Sequence, residues 1–488
     1  MAGSEEDPSR LGRLQSIGGF SVTDPPKFDL DSYIANYKGR TRFDRLVLIG
    51  GTSSHLSHDA LKGAVAEAKR GKDVGRYQIA IDMILRVAPE DPDATPDLEW
   101  IATTNSRVKA ETEKLESELK GYKNNLIKES IRMGNEDLGS HYHSIGDLPS
   151  SYKAYARMRE FCGSPKHISE MCQKLIWVSI EQGNWLAVQS NALKVRNLQL
   201  SPADVDETLP KLSAATGLAQ LASKFYADAA ESFLYTNPSL GSSFTNVLTP
   251  NDIAVYGGLC ALASMDRGQL QKEVLDNTSF RNFLELEPHI RRAIGAFCAG
   301  KYSTCLGILE AYRADYLLDL HLARHVPDLY AAVRAKSIVQ YFIPFSRVTL
   351  ASMATAFATS EAAIENELIG MIERGQLDAR IDTQNRLLTT TSSNLRASVH
   401  HDALRTAHSY ERTARQRLMR MNIAAAGLDV KPPPHKGPGS KEGDYGMAGG
   451  LLAGKGPGGS MGSGGSGGAG AGVVDVGGPG GLRSGLRY

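Results

Sequence analysis

The chain reads as a mostly α protein: a helical-repeat (TPR-like) solenoid, then a winged-helix module, a carboxyl-terminal helix and a glycine-rich tail. Three observations predict this. Apolar residues recur at helical spacing through long stretches with little proline. A short pattern (small, polar, large apolar) returns at Gly146-Asp147-Leu148, Gly183-Asn184-Trp185, Ser223-Lys224-Phe225 and Gly300-Lys301-Tyr302. After Pro344 the order of segments becomes helix, helix, β-hairpin, which is that of a winged helix.

The first element to settle is "RLVLIGGTSS", Arg45 to Ser54, which has the outline of a nucleotide-binding strand and turn. A dinucleotide fingerprint needs three glycines at fixed offsets, for the tight turn, the approach to pyrophosphate and helix packing. Counting from Gly50 the second and third positions are Thr52 and His55; counting from Gly51 they are Ser53 and Leu56. Neither frame fits, and no phosphate-binding Gly-Lys-Ser/Thr follows. Phe43, Leu46, Val47 and Gly50 instead have i, i+3, i+4, i+7 spacing, so a helix is predicted, with Gly50 and Gly51 as its stop.

Residues 97–134 contain no proline and present Val108, Leu115, Leu119, Tyr122 and Leu126 along one face, with Glu111 before Lys114 and Glu116 before Lys120. One long helix is predicted there. The repeats that follow are 37, 40 and 77 residues apart, the last close to two periods. Such units stack side by side and leave a long concave surface for partners. Beyond Pro344, "VTLASMATAFATS" reads as a short helix and "EAAIENELIGMIERG" as a second, capped by Ser360, faced by Ile364, Leu368 and Met371, and stopped by Gly375. "LDARIDTQNRLLTT" then alternates through Leu377, Ala379 and Ile381, turns at Thr383 to Asn385 and returns through Leu387 and Thr389. A last helix is expected from about Asp402 to Ile423. Its Leu404, Ala407, Glu411, Ala414, Leu418 and Met421 alternate spacings of 3 and 4, a seam for partner helices.

The ends differ from this body. Residues 1–27 are polar and punctuated by glycine and proline, and 22 of the 49 glycines lie between Gly437 and Tyr488. Neither segment can bury enough apolar surface to offset chain entropy, so disorder is expected at both ends. Across the whole chain 55 basic and 54 acidic residues leave a net charge of +1, so no global field draws it to nucleic acid or an anionic membrane. Five cysteines (Cys162, Cys172, Cys260, Cys298, Cys305) without a CxxC pair suggest free thiols in a reducing compartment. With no secretory signal in "MAGSEEDPSR" and no apolar run near the ~20 residues of a membrane span, a nuclear and cytoplasmic location is expected.

Candidate chemistry is sparse. His141 and His143 form the HxH core of a zinc isopeptidase signature, and Ser151 stands where its serine belongs. The metal-binding aspartate position is Ala154, which leaves a zinc hydrolase one ligand short. An independent zinc hydrolase is therefore the disfavoured alternative. "HLARH" sets His321 and His325 a helical turn apart but lacks the neighbouring glutamate of a metalloprotease helix, and no third ligand can be named. His400 and His401 are adjacent and would point apart on a helix. No Ser/His/Asp constellation emerges, so the reading is not an enzyme, with no catalytic residue, cofactor or metal of its own. The winged helix also argues against nucleic acid. Its groove-facing helix carries Glu361, Glu365, Glu367 and Glu373 against Arg374, a balance of −3 that repels phosphate. Arg405, Arg412, Arg415, Arg417 and Arg420 make the outer side of the last helix a solvated basic face. The hairpin edge at Arg380, Ile381 and Asp382 is suited to extending a neighbour's sheet. Those three residues and the Leu404, Ala407, Ala414, Leu418, Met421 seam are the expected partner-binding surfaces.

Helical repeats followed by a winged helix resemble the PCI family, shared by the proteasome lid, the COP-nine signalosome and a translation initiation factor. "YIANYKGRTRFDRL", "LIKESIRMG", "DIAVYGGLCALASMDR", "NFLELEP", "LLDLHLARHV" and "ARIDTQN" carry the likeness over residues 29–423. "YKGRT" and "LIKESIRMG" favour the signalosome branch over the matching lid subunit, which is the alternative. The chain departs from the family at Gly50-Gly51-Thr52, where a helix would normally continue, and in the tail. The resemblance divides the chain into a disordered start (1–27), a repeat arm (28–224), a PCI domain (225–392, winged helix about 345–392), a bundle helix (396–430) and a tail (431–488). It implies a non-catalytic scaffold in a complex that removes a ubiquitin-like modifier from cullins and so regulates cullin-RING ligases, with zinc held by a different subunit. It also implies that the winged helix and last helix meet other PCI subunits and that the arm reaches toward the ligase.

Overall fold

The computed structural model describes residues 22–391 and 395–428. Two compact units emerge, one running to Ser398 and the other from Val399.

The first unit begins with four helices: α1 (Leu30–Ala35), α2 (Gly39–Thr52), α3 (Ser57–Arg70) and α4 (Val74–Val87). The helical reading of Arg45–Ser54 holds, but its glycines do not stop α2. Gly50 and Gly51 lie inside it and the helix ends one residue later, at Thr52. Gly50 is there for packing: a Cβ at this position would meet the Leu61 side chain at 2.6 Å, and only hydrogen lets α2 and α3 close. Phe43, Leu46, Ile49, Leu61, Val65, Tyr77 and Ile81 form a core that Leu318, far along the chain, completes. Val22–Lys27, expected to belong to a disordered start, are held against this body. The Val22 amide donates to the Thr52 carbonyl at 2.8 Å and the Lys27 amide to Asp315 Oδ1 at 2.8 Å.

The single helix expected over 97–134 is two antiparallel helices, α5 (Leu98–Asn124) and α6 (Lys128–Ile145). The chain reverses at Asn125–Ile127 with Leu126 in the left-handed region, φ +54°. No glycine or proline marks the reversal, which is why spacing alone ran through it. Of the expected face only Leu119 is fully buried, in a small core with Ile131 and Leu138. Glu111 pairs with Lys72 rather than Lys114, at 2.5 Å, and Glu116 accepts from the Tyr142 hydroxyl rather than pairing with Lys120.

The repeats follow as α7 (Leu148–Arg157), α8 (Pro165–Gln182), α9 (Trp185–Arg196), α10 (Pro202–Ala222), α11 (Tyr226–Leu234) and α12 (Pro250–Ser264), then α13 (Thr278–Leu284), α14 (Pro288–Cys298), α15 (Tyr302–Ala311), α16 (Arg313–Leu317) and α17 (Val326–Phe342). Each predicted repeat signal is a helix–helix turn, and the backbone explains the pattern. A left-handed residue ends one helix, at Gly146 (φ +101°), Gly183 (+70°), Lys224 (+65°) and Gly300 (+75°). In the first two turns the next residue also caps the following helix through its side chain: Asp147 accepts from the Ser150 amide and Asn184 from the Ala187 amide. In the third turn the left-handed residue is Lys224, not Ser223, so the register there moves by one. Tyr226 then packs against the core and Phe225 is left 60% exposed. At Gly146 no side chain fits, since a Cβ would fall 2.3 Å from Asp73 Oδ2.

One hydrophobic core runs without interruption from Leu148 through the repeats to Leu388. It includes the winged helix: β1 (Arg347–Thr349), α18 (Leu350–Ala356), α19 (Glu361–Glu373), β2 (Ala379–Asp382) and β3 (Leu387–Thr390). Ser360 caps α19 through the Ala363 amide, Ile364, Leu368 and Met371 are fully buried, and Gly375 (φ +68°) follows, as expected. The strand β1 corrects the reading of "VTLASM" as helix throughout. Val348 and Thr349, both β-branched, complete a sheet of order β1-β3-β2 before Thr349 caps α18. The last helix, α20 (Leu395–Ala425), is longer than expected. The expected tail over 431–488 and most of the expected disordered start lie outside the described residues.

Candidate interaction surfaces

β2 pairs antiparallel with β3 in the register Arg380↔Thr389, Ile381↔Leu388 and Asp382↔Leu387. With β3 central, the other side of β2 has no strand partner among the described residues. Arg380 is exposed and Ile381 half-buried against the core. Asp382 is turned inward on its own hairpin: it accepts from the Gln384 amide at 3.1 Å and the Asn385 side-chain amide at 2.9 Å. The hydrogen bonds from Asn385 hold its carboxyl below the usual range. Asp382 therefore fixes the turn, and Arg380 and Ile381 lie on the edge strand, with only the Arg380 side chain exposed.

On α20 the seam is uncovered among the described residues. Leu404 is 48% exposed, Leu418 60% and Met421 68%, and Ala407 is exposed with Ala414 half-buried. Helices this open gain little from packing, so a seam of large apolar side chains is stable in water only at a cost. The basic outer face carries an Arg415–Glu411 pair at 2.7 Å. On α19, Glu367 pairs with Arg334 at 2.8 Å and Glu361 with Arg386 at 2.7 Å, so two of its carboxylates are engaged within the module.

The histidines do not converge. His141 and His143 lie on opposite sides of α6, both buried. His141 Nε2 meets Thr112 Oγ1 of α5 at 2.8 Å, and burial lowers its pKa. His143 Nε2 meets Glu181 Oε1 of α8 at 2.9 Å, with its ring against Trp177. Ser151 donates to the Gly139 carbonyl at 2.8 Å. Among the described residues no three His, Cys, Asp or Glu side chains gather as a metal set. His321 and His325 lie in successive turns ahead of α17 rather than on a helix. Both face a cavity of about 740 Å³ lined also by Asp44, Glu181, Trp185 and Leu218. Burial drives the His321 pKa down to about 4. The cavity's carboxylates are already matched, Asp44 by Arg76 at 2.8 Å and Glu181 by Arg40 at 3.0 Å. His400 and His401 are exposed on α20.

What spacing did not show is a buried polar cluster joining α2, α12 and the turn after α16. Arg45, fully buried, reaches Asp319 Oδ2 at 2.6 Å and Asp252 Oδ2 at 3.2 Å. Tyr37 donates to Asp252 at 2.7 Å, and the Arg45 guanidinium lies 4.0 Å above the Tyr37 ring. Burial raises the Asp252 pKa, while Arg45 and Tyr256 hold Asp319 low against the same burial. The one local signal was an arginine set among the apolar positions of α2. These groups hold the arm's first helices to the central repeats and offer no open reactive atom.

Two family models match the chain: 26S proteasome subunit RPN7 over residues 97–273 and PCI domain over residues 309–392. The chain is 57% identical over 440 residues to COP9 signalosome complex subunit 1 of Emericella nidulans, covering 87% of this chain and 88% of that protein. It is 45% identical over 402 residues to the subunit 1 of Neurospora crassa (81% and 90%), and 40% identical over 399 residues to that of Arabidopsis thaliana (81% and 89%).

Proposed function

The chain belongs to the COP9 signalosome subunit 1 family, and from that premise we propose that it works as a non-catalytic scaffold of the signalosome, in the nucleus and cytoplasm. In this reading the complex removes the ubiquitin-like modifier from cullins with zinc held by another subunit. This chain joins other PCI subunits through β2 and the α20 seam, and its arm reaches toward the cullin-RING ligase. The uncovered seam of Leu404, Leu418 and Met421 is the observation that carries the proposal, because it has the spacing of a helix-bundle face. The divergence of His141 and His143 supports the same reading, since each is spent on a neighbouring helix.

The test is a reconstituted complex containing His141→Gln with His143→Gln, substitutions that keep a hydrogen-bonding group toward Thr112 and Glu181. The complex should assemble and remove the modifier at the rate of the unaltered one. Stoichiometric zinc in the purified chain, lost together with activity in the double variant, would overturn the scaffold reading in favour of a zinc hydrolase.

A further inference from the structure

The reversal between α5 and α6 is made in an expensive way. Leu126 takes the left-handed conformation that favours glycine, at φ +54°, and its side chain is 81% exposed. Ile127, the next residue, is 54% exposed. A glycine at 126 would remove the strain and the more exposed of the two apolar side chains, and the hairpin itself has no use for the leucine. The tip is otherwise well supported. Leu119 and Ile131 pack just behind it, and Tyr122 lies against Gly134, where a Cβ would meet its ring at 3.1 Å. Strain and exposure that persist on a firmly held tip point to a use outside the chain.

Charge says what kind of use. Residues 119–128 contain Lys120, Lys123 and Lys128 and no acidic residue. None of these lysines has an ion pair among the described residues, whereas nearby Glu129 is taken by Arg132 at 2.7 Å. We propose that the α5–α6 tip is a docking knob, with Leu126 and Ile127 entering an apolar groove on a partner protein whose rim carries carboxylates facing the three lysines. Two apolar side chains on a rigid turn suit a shaped pocket better than a lipid surface, where binding grows with the apolar area inserted. The proposal deepens the arm's part of the scaffold reading and rests on it only for the idea that the arm meets a partner. The two fail separately, since assembly is read on α20 and docking at the tip.

The experiment places a photo-crosslinking phenylalanine analogue at Ile127 of the full chain, in the reconstituted complex supplied with its cullin-RING substrate. Crosslinked peptides are identified by mass spectrometry. The expected product is an apolar segment flanked by Asp or Glu, with yield falling at least tenfold on Lys123→Glu with Lys128→Glu and at high salt. Leu126→Gly separates docking from folding: the melting temperature should hold or rise while the yield falls tenfold. Crosslinks to basic or featureless segments, yields unmoved by the charge reversals or by Leu126→Gly, or binding of the free chain to phosphatidylserine vesicles that the lysine reversals abolish would each overturn the proposal.

Discussion

Arg45 shows how much one side chain can hold when it is fully desolvated. Its guanidinium meets Asp319 at 2.6 Å and Asp252 at 3.2 Å, and these partners lie more than two hundred residues away in sequence. One cation between two carboxylates explains their opposite shifts, Asp319 low and Asp252 high. Removing one partner from such a cluster strands a buried charge, which costs more than the pair contributed. Arg45→Met should therefore lower unfolding free energy by about 3–5 kcal/mol in urea titrations of the full chain. Adding Asp319→Asn should recover part of that loss, because the neutral amide no longer needs a cation and its oxygen can still accept from the Leu322 amide, now at 2.9 Å from Asp319 Oδ1. No recovery in the double variant would show that shape, not charge, is what Arg45 supplies.

The surfaces proposed for assembly lie on single elements, and β2 is the most exacting of them because an edge strand offers backbone groups as well as side chains. Ile381→Pro removes an amide donor and bends the strand opposite Leu388. Binding to the neighbouring PCI subunit should fall severely in pull-down, with helical circular dichroism of the chain unchanged; full binding by the folded variant would end the edge-pairing idea. Elements were legible in the sequence wherever one local rule decided them. Helical spacing found α2 and α19, Ser360 and Gly375 bounded the latter, and the alternation around Ile381 found the hairpin. They were illegible where a residue broke its own preference or where the partner was remote. Leu126 reverses the chain without glycine, Lys224 takes a left-handed position and moves the third repeat by one, and β1 is a strand only because β3 lies beside it. The candidate surfaces were readable as patterns on single elements. The Arg45 cluster was not, since nothing in one chain's spacing pairs α2 with residues 252 and 319.

At the scale of the whole molecule the question is which parts assembly needs. Nothing in the spacing of 431–488 offers an apolar face, so a chain stopped at Lys431 should enter the complex as the full one does. A chain stopped at Arg396 loses nearly all of α20 and with it Leu404, Leu418 and Met421. Burying each large apolar side chain is worth ~1.5–3 kcal/mol, so three together amount to several powers of ten in affinity. Leu418→Asp is the sharper test. At 60% exposure Leu418 contributes little to the free chain, so its melting temperature should not move. In a helical bundle the same aspartate would be buried without a cation, and the complex should not survive size-exclusion chromatography. The outer face supplies the control. Among the described residues Arg415 pairs only with the exposed i,i+4 Glu411, a contact worth about 0.3–0.5 kcal/mol, so Arg412→Gln with Arg415→Gln should leave the elution profile unchanged. Normal assembly of Leu418→Asp, or failure of the chain stopped at Lys431, would move the bundle contact off this seam and onto residues the spacing of α20 does not mark.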